Sequence, residues 1–192
     1  MKVIVIIGLP GSGKSVASKL LSRKGIPAYN SSHIIKEEVI KRGLELTVES
    51  EEHIARQLRK EHGMDAPARF LANSIENEKS DIICIEGFRN IEEAEYMERL
   101  GKIFLVEIRA PKNVRHERLI RRGGPRDPKD REAAEWRDGK EIERGLGNLL
   151  ETEKYAKFVI NNNGNLQSLE KSLDEILDKI KQNPFNVKGV AK

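Results

Sequence analysis

Behind Lys2 the chain opens on Val3-Ile4-Val5-Ile6-Ile7, an unbroken apolar and mostly β-branched run. That is the pattern of a strand buried on both faces. After a glycine-rich break, Val16, Ala17, Leu20 and Leu21 recur at helical spacing, and Gly25 stops them. Ile26 to Asn30 predicts a second strand. Ser31-Ser32 then offers an N-cap for a helix reaching about Arg42, with Ile34, Ile35, Val39 and Ile40 on its apolar face and Gly43 after it. Thr47 caps a further helix that turns Ile54, Ala55 and Leu58 inward and ends at Gly63. Asp65 caps the next, with Pro67 in its first turn and Phe70, Leu71, Ser74 and Ile75 on one face.

The pattern then returns to strands. Ile82 to Glu86 reads as a buried strand ending in a carboxylate. Asn90 with Glu93 opens a helix running to Leu100, and Gly101 stops it. Lys102 to Ile108 is a strand, Lys112 to Arg122 a helix, Gly123-Gly124-Pro125 a break, and residues 129–150 are helical again. Phe158-Val159-Ile160 is the last strand. After the turn run Asn161-Asn162-Asn163-Gly164, the residues Leu166, Leu169, Leu173, Ile176, Leu177 and Ile180 form the stripe of a closing helix. The tail from Asn183 is expected to be loose. Strands separated by helices predict an α/β fold, a mostly parallel sheet covered on both faces. Ligands in such sheets bind beyond the carboxyl ends of the strands. Gly8, Tyr29-Asn30, Glu86 and Asn161 are therefore expected at one edge. The three helices between the second and third strands read as an insertion.

Length and charge narrow the class. At 192 residues a single domain with a real core is expected. No apolar run reaches 18 residues, and the start goes straight into a strand, so neither a membrane span nor a signal peptide is expected. The one cysteine, Cys84, lies in the apolar run Ile82-Ile83-Cys84-Ile85 and reads as a buried structural thiol. These features fit a cytoplasmic protein. A formal charge of +4 is small beside 34% charged residues, so it does not argue for a general nucleic-acid surface. Its distribution matters more. Residues 109–131 hold nine Lys or Arg against three Asp or Glu, a block suited to an anionic ligand, whether nucleotide phosphates or nucleic acid.

The glycine-rich break carries the chemistry. Gly8-Leu9-Pro10-Gly11-Ser12-Gly13-Lys14-Ser15 matches the phosphate-binding P-loop, between a strand and a helix as that loop requires. Backbone N–H groups of Gly8, Pro10's neighbours, Gly11, Ser12 and Gly13 are expected to cradle phosphate oxygens at the positive end of the following helix. Lys14 is expected to reach the β- and γ-phosphates of ATP, and Ser15 to offer its hydroxyl to Mg²⁺.

With these residues in place the chain resembles the adenylate-kinase-like group of P-loop kinases. It is most similar there to archaeal adenylate-kinase-related proteins, which also resemble dephospho-coenzyme A kinases. Beyond the P-loop the resemblance rests on Leu58-Arg59-Lys60-Glu61-His62-Gly63, Ile85-Glu86-Gly87-Phe88-Arg89, Arg115-His116-Glu117-Arg118-Leu119 with Arg121-Arg122-Gly123, Arg137-Asp138, and Val159-Ile160-Asn161-Asn162. It implies a P-loop NTPase fold with a five-stranded parallel sheet. The core would be about residues 1–30, 76–110 and 150–182, with an acceptor-binding insertion at about 31–75 and a lid at about 111–149. Arg118 and Arg122, four apart on one helical face, match the family's lid arginine pair, with Arg126, Arg131 and Arg137 as further candidates. Asn161 falls where these kinases border adenine, and Lys36, Arg59 and Arg89 fall toward the acceptor.

The departures bear on the acceptor. Adenylate kinases carry Asp-Gly-Phe-Pro-Arg after the third core strand. Here the stretch is Glu86-Gly87-Phe88-Arg89, which keeps a carboxylate for the metal and shifts the arginine by one place. Where they have Gly-Asp-x-x-Arg, this chain has Ser32-His33-Ile34-Ile35-Lys36, so Lys36 replaces the arginine without its bidentate fork. His33 reads as an exposed helix-start residue. Dephospho-coenzyme A kinases place an Asp after the second strand to serve a hydroxyl. Here Asn30, Ser31 and Ser32 offer no carboxylate, which tilts toward an acceptor bearing its own phosphate, although Glu86 or Asp127 could serve a hydroxyl. The expected function is Mg²⁺-ATP-dependent phosphoryl transfer to a small molecule, favouring a nucleoside monophosphate over dephospho-coenzyme A. The rival is a nucleotide-gated ATPase whose basic lid docks RNA or protein. With 5% aromatics and Trp136 alone in the lid, stacking platforms for single-stranded RNA are few.

Overall fold

A computed structural model of the protein describes residues 1–124 and 127–183. Pro125 of the expected chain break, Arg126 of the expected lid arginines and the tail beyond Asn183 lie outside the described residues. The first half of the chain holds β1 (Lys2–Ile7), α1 (Lys14–Arg23), β2 (Ala28–Asn30), α2 (Ser32–Lys41), α3 (Val48–His62), α4 (Ala66–Ser74) and β3 (Ile82–Glu86). The second half holds α5 (Ile91–Met97), β4 (Lys102–Arg109), α6 (Lys112–Arg122), α7 (Arg131–Glu141), a π-type turn (Ile142–Leu146), α8 (Gly147–Glu151), β5 (Ala156–Asn161) and α9 (Leu166–Gln182).

The five strands form one parallel sheet in the order β2-β3-β1-β4-β5. Its centre is β1, whose residues Val3 to Ile7 are all buried because both faces are covered. Alternate side chains feed two cores. Val3, Val5, Ile83, Ile85, Ile103 and Leu105 meet α4, α5 and α8 on one face. Ile4, Ile6, Phe104, Val106 and Ile160 meet α1 and α9 on the other. Cys84 faces that second core, where burial pushes its thiol up to about 12, as a structural thiol requires. The five-stranded α/β P-loop NTPase fold is the one the sequence predicts.

The helices between β2 and β3 have a smaller core of their own, built from Ile35, Val39, Ile54 and Leu58. Thr47 caps α3, exchanging hydrogen bonds with Ser50 (Ser50 N to Thr47 Oγ1, 3.1 Å; Thr47 N to Ser50 Oγ, 3.0 Å). The reading of α4 as part of a pure insertion is modified, because Ala68, Leu71 and Ala72 pack into the sheet core. Asp65 does not cap α4 through its side chain; its carboxylate binds Arg69 one turn on, at 2.9 Å.

The helix expected over 129–150 is interrupted. Gly145 stands at φ +111°, and the π-type turn there kinks the path between α7 and α8. A Cβ at Gly145 would lie 3.0 Å from the Arg89 carbonyl oxygen and collide with the Asn90 amide, so only glycine closes this contact. Among the described residues no helix is long and apolar enough to cross a membrane.

Candidate functional site

The strand register brings the carboxyl ends of β2, β3, β1 and β4 to one edge: Asn30 pairs with Glu86, Glu86 with Ile6, and Ile7 with Glu107. There the loop from Gly8 leaves β1 and enters α1 at Gly13, which has φ +106°. The neighbours fix the loop's shape. Arg115 on α6 approaches Gly11 so closely that a Cβ would lie 2.5 Å from its carbonyl oxygen, and a Cβ on Gly13 would collide with the Asn162 amide. Lys14 folds back over the loop, its Nζ donating to the carbonyls of Gly8 (2.7 Å) and Leu9 (3.1 Å). Burial pushes the Lys14 amine down to about 8, against the pull of Glu141 and Glu86, while Arg89 and Arg137 push the same way as burial. Those five side chains therefore share one electrostatic neighbourhood.

Ser15 donates its hydroxyl to Glu86 Oε2 (3.1 Å), and Asn30 Nδ2 donates to Glu86 Oε1 (3.2 Å). A serine hydroxyl beside a carboxylate is a pair of hard oxygen donors, the set that suits Mg²⁺ carrying most of its own waters. Ser15 and Glu86 are thus brought together as expected.

Beyond β3 lies a second group. The Arg89 guanidinium meets Glu141 Oε1 at 2.6 Å, and its backbone N–H donates to Glu93 Oε2, also at 2.6 Å. Glu93 is buried, which raises its carboxyl, while Arg59 at 3.8 Å and the N–H groups of Arg89 and Asn90 pull it back. With its amide turned to satisfy both ends, Asn90 donates to the Arg144 carbonyl (2.7 Å) and accepts from Arg59 Nε (3.2 Å). Arg144 in turn pairs with Glu52 of α3 at 2.8 Å. Arg59 and Arg89 are therefore gathered, each already on a carboxylate. Lys36 is not: the α2 residues lining the adjacent cleft are His33, Ile34 and Glu37. That cleft, about 550 Å³, runs from Ser15 and Glu86 past Lys19 and Tyr29 to Ser74. His33 is exposed there, as expected of a helix-start residue.

The basic block is held by ion pairs. Arg115 makes a two-pronged pair with buried Asp138 (2.9 and 2.6 Å), which also contacts His116 Nε2 at 3.0 Å. Burial raises the Asp138 carboxyl, but the Arg115 and His116 contacts outweigh that and bring it below the usual range. The same Arg115 donates to the Pro10 carbonyl (2.9 Å), tying α6 and α7 to the loop. Arg122 pairs with Asp127, which Arg137 also approaches at 3.6 Å. Lys112 meets Glu135, Arg131 meets Glu117 at 3.5 Å, and Lys140 meets Glu143 at 2.8 Å.

Arg118 donates from Nη2 to the Asn162 carbonyl (3.0 Å), and Asn162 Nδ2 donates to the Ser12 carbonyl (2.7 Å). Arg118 Nη1 and Ser12 Oγ, at the two ends of this chain, are buried without a hydrogen bond. Asn161 and Asn162 stand differently at this edge. Asn161 ends β5 with its side chain exposed, and buried Asn162 is the residue against the loop. Strand alternation could have found it, since Asn162 shares a face with Ile160. Glu141 carries no local signal, being one carboxylate in a charged helix with its partner on a separate element, whereas Glu93 opens α5 with Asn90 as expected and in addition meets Arg59 of α3.

Comparison with known proteins sets this edge in a lineage. A family profile described as an AAA domain (AAA_18) matches residues 4–140. The UPF0200 protein of Hyperthermus butylicus is 36% identical over 178 residues, covering 93% of this chain and 94% of that protein. Among solved structures, TT1252 from Thermus thermophilus superposes with a TM-score of 0.62 at 22% identity, covering 97% of this chain and 98% of that one. A shikimate kinase from Acinetobacter baumannii in complex with shikimate has a TM-score of 0.57 at 17% identity, covering 97% and 95%. At such identities the structures speak for the fold, that of P-loop kinases. The sequence relatives speak for descent, and they fit the archaeal kinase-like group that the motifs resemble. The chain belongs to the AAA_18 family of P-loop domains, together with the archaeal UPF0200 proteins.

Proposed function

We propose that the protein is a Mg²⁺-ATP-dependent phosphotransferase acting on a small molecule that bears its own phosphate, a nucleoside monophosphate being the favoured acceptor. The observation that carries this reading is the convergence of Lys14, Arg89 and Arg137, from three separate segments, on the edge where Ser15 and Glu86 stand. Such a cluster suits two anionic reactants that must be brought together. Lys14 would bind the β- and γ-phosphates. Ser15 and Glu86 would hold Mg²⁺, which when bound supplies charge neutralisation on the phosphate oxygens. Arg118, with one buried N–H lacking a partner, would donate it to a phosphate oxygen. Residues 111–149 would act as a lid, and Arg89 and Arg59 would orient the acceptor phosphate in line. The acceptor oxygen then forms a bond to the γ-phosphorus as the bond to the bridging oxygen breaks, leaving ADP.

The absence of a carboxylate at Asn30, Ser31 and Ser32 supports a phosphate acceptor, which needs no base. A hydroxyl acceptor is the second reading, with dephospho-coenzyme A as the example. It is favoured by the cleft where His33 and Glu37, one turn apart on α2, stand with Ser15 and Glu86, and by the fold shared with a shikimate kinase. The ion pairing within the basic block speaks against an RNA-docking lid, since Glu117, Asp127, Glu135 and Asp138 already hold four of its cations, Arg131, Arg122, Lys112 and Arg115. A screen of nucleoside monophosphates, dephospho-coenzyme A and small alcohols with labelled ATP, read against an ATP-only blank, tests this. Label transferred to a monophosphate is expected. Transfer only to a hydroxyl selects the second reading, and label released equally in the blank selects an ATPase.

A further inference from the structure

We infer that Glu141 is a built-in counter-anion whose carboxylate occupies the Arg89 guanidinium that a nucleotide or acceptor phosphate must take, so that phosphate binding displaces it and moves α7 at the Gly145 kink. The inference rests on the reading above that this edge binds phosphates. Glu141 is buried and meets Arg89 Nη1 at 2.6 Å. Glu141 holds the Nη1 corner of the guanidinium, so a phosphate that takes Arg89 through a two-pronged contact including Nη1 competes with that carboxylate for it. Glu141 is also the first among the charges acting on Lys14 and on Arg137, ahead of Glu86 and Asp127 respectively. One carboxylate thus balances all three cations of the cluster.

Its place in the chain gives the contact a mechanical meaning. Glu141 is the last residue of α7, and the π-type turn begins at the next residue. Three residues further on, Gly145 seats the kink on the Arg89 carbonyl and the Asn90 amide. Arg89 therefore meets the same segment at two points, its guanidinium paired with Glu141 before the kink and its carbonyl close against Gly145 within it. The Arg89 backbone cannot follow its guanidinium, because Glu93 holds its N–H at 2.6 Å. When a phosphate takes the guanidinium, the freed partner is Glu141, and α7 moves together with α6, to which Arg115 and Asp138 bind it.

The chain supplies its own reporter. Trp136 is its one tryptophan, lies on α7 at 64% exposure, and has the Lys140 ammonium 5.8 Å from its ring centre. Wild type, Glu141→Gln and Glu141→Asp are titrated with pyrophosphate and with ATP, by calorimetry and by Trp136 emission. Gln removes the charge, and Asp keeps it on a side chain one carbon too short for the Arg89 contact. Both variants are expected to bind pyrophosphate at least tenfold more tightly than wild type. Wild-type emission should shift at saturation, and the variants should start near that shifted value. Equal or weaker binding by both variants overturns the inference. So does a wild-type emission that stays constant at saturating pyrophosphate, a result that needs no variant to fold. If wild type binds neither probe and Lys14→Ala changes nothing, the phosphate-site reading falls instead.

Discussion

Lys14 gives the most quantitative expectation, because its ammonium must be charged to hold phosphate and its surroundings resist that charge. Burial lowers its pKa from 10.5 to about 8. A bound phosphate favours the charged form, so nucleotide binding should draw a proton onto Lys14 above that pH. The protonated fraction falls from about nine-tenths at pH 7 to about one-thirtieth at pH 9.5. ATP affinity should therefore fall about thirtyfold over that interval, or about 2 kcal/mol at 1.36 kcal/mol per tenfold. Phosphate ionisation contributes little there, since its own pKa is about 6. Fold stability should move the other way. A lysine whose folded pKa is depressed carries its full burial penalty below about pH 8 and sheds it as pH rises toward 10.5, so the protein alone is relieved over the window in which the ligand is lost. Calorimetry at half-unit pH steps, in buffers of differing ionisation enthalpy, measures both the affinity and the proton uptake. Lys14→Arg, which cannot deprotonate, should bind more weakly but with a flat profile. A flat wild-type profile with no proton uptake would refute the argument.

Three further outcomes are expected. Asp138→Asn strands the buried Arg115 guanidinium and should cost about 3–5 kcal/mol in urea denaturation; a loss under about 1 kcal/mol would mean the pair is solvated. Gly13→Ala forces a side chain into positive φ and against Asn162, which should cost about 1–3 kcal/mol and blunt the thermal shift given by ATP; an unchanged Tm and shift would contradict that packing. Arg118→Ala should cut turnover by about two to three decades, the scale of a lost transition-state donor, whereas normal turnover with loss of salt-sensitive RNA binding would favour an RNA-docking role.

The sheet and its edge were legible because both are written locally. β1 announces itself through five consecutive β-branched residues, and the loop through spacing that the backbone itself demands. The Thr47 cap and the Gly63 stop of α3 are likewise local, and both ends agree with the structure. What escaped was written between distant segments. Arg-Glu-Ala-Ala-Glu-Trp-Arg-Asp-Gly-Lys-Glu, the sequence of α7, reads as a solvated helix with mixed charges. That Asp138 and Glu141 face inward follows only from Arg115 and Arg89, which sit on α6 and beyond β3. Lys36 shows the converse. Aligning it with a family arginine gave it a role, but the cleft takes its α2 lining from residues 33, 34 and 37. The kink at Gly145 was hidden inside a run that keeps helical spacing on both sides.

The sheet order has a consequence for how the chain is made. β1 is the central strand, yet its neighbours come late: Lys2 pairs with Ile82 on one side and with Lys102 on the other. During synthesis at about 5–20 residues per second, β1 waits about 5–20 s for its second neighbour. For most of that interval its apolar run has neither partner strand, and with α9 still unmade its second face is covered by α1 alone. The loop behind it cannot take its final shape either, since Arg115 and Asn162 follow later still. Nascent chains halted before residue 102 should therefore hold chaperones and resist proteases poorly, while those with α9 clear of the ribosome acquire protection of β1 in a single step.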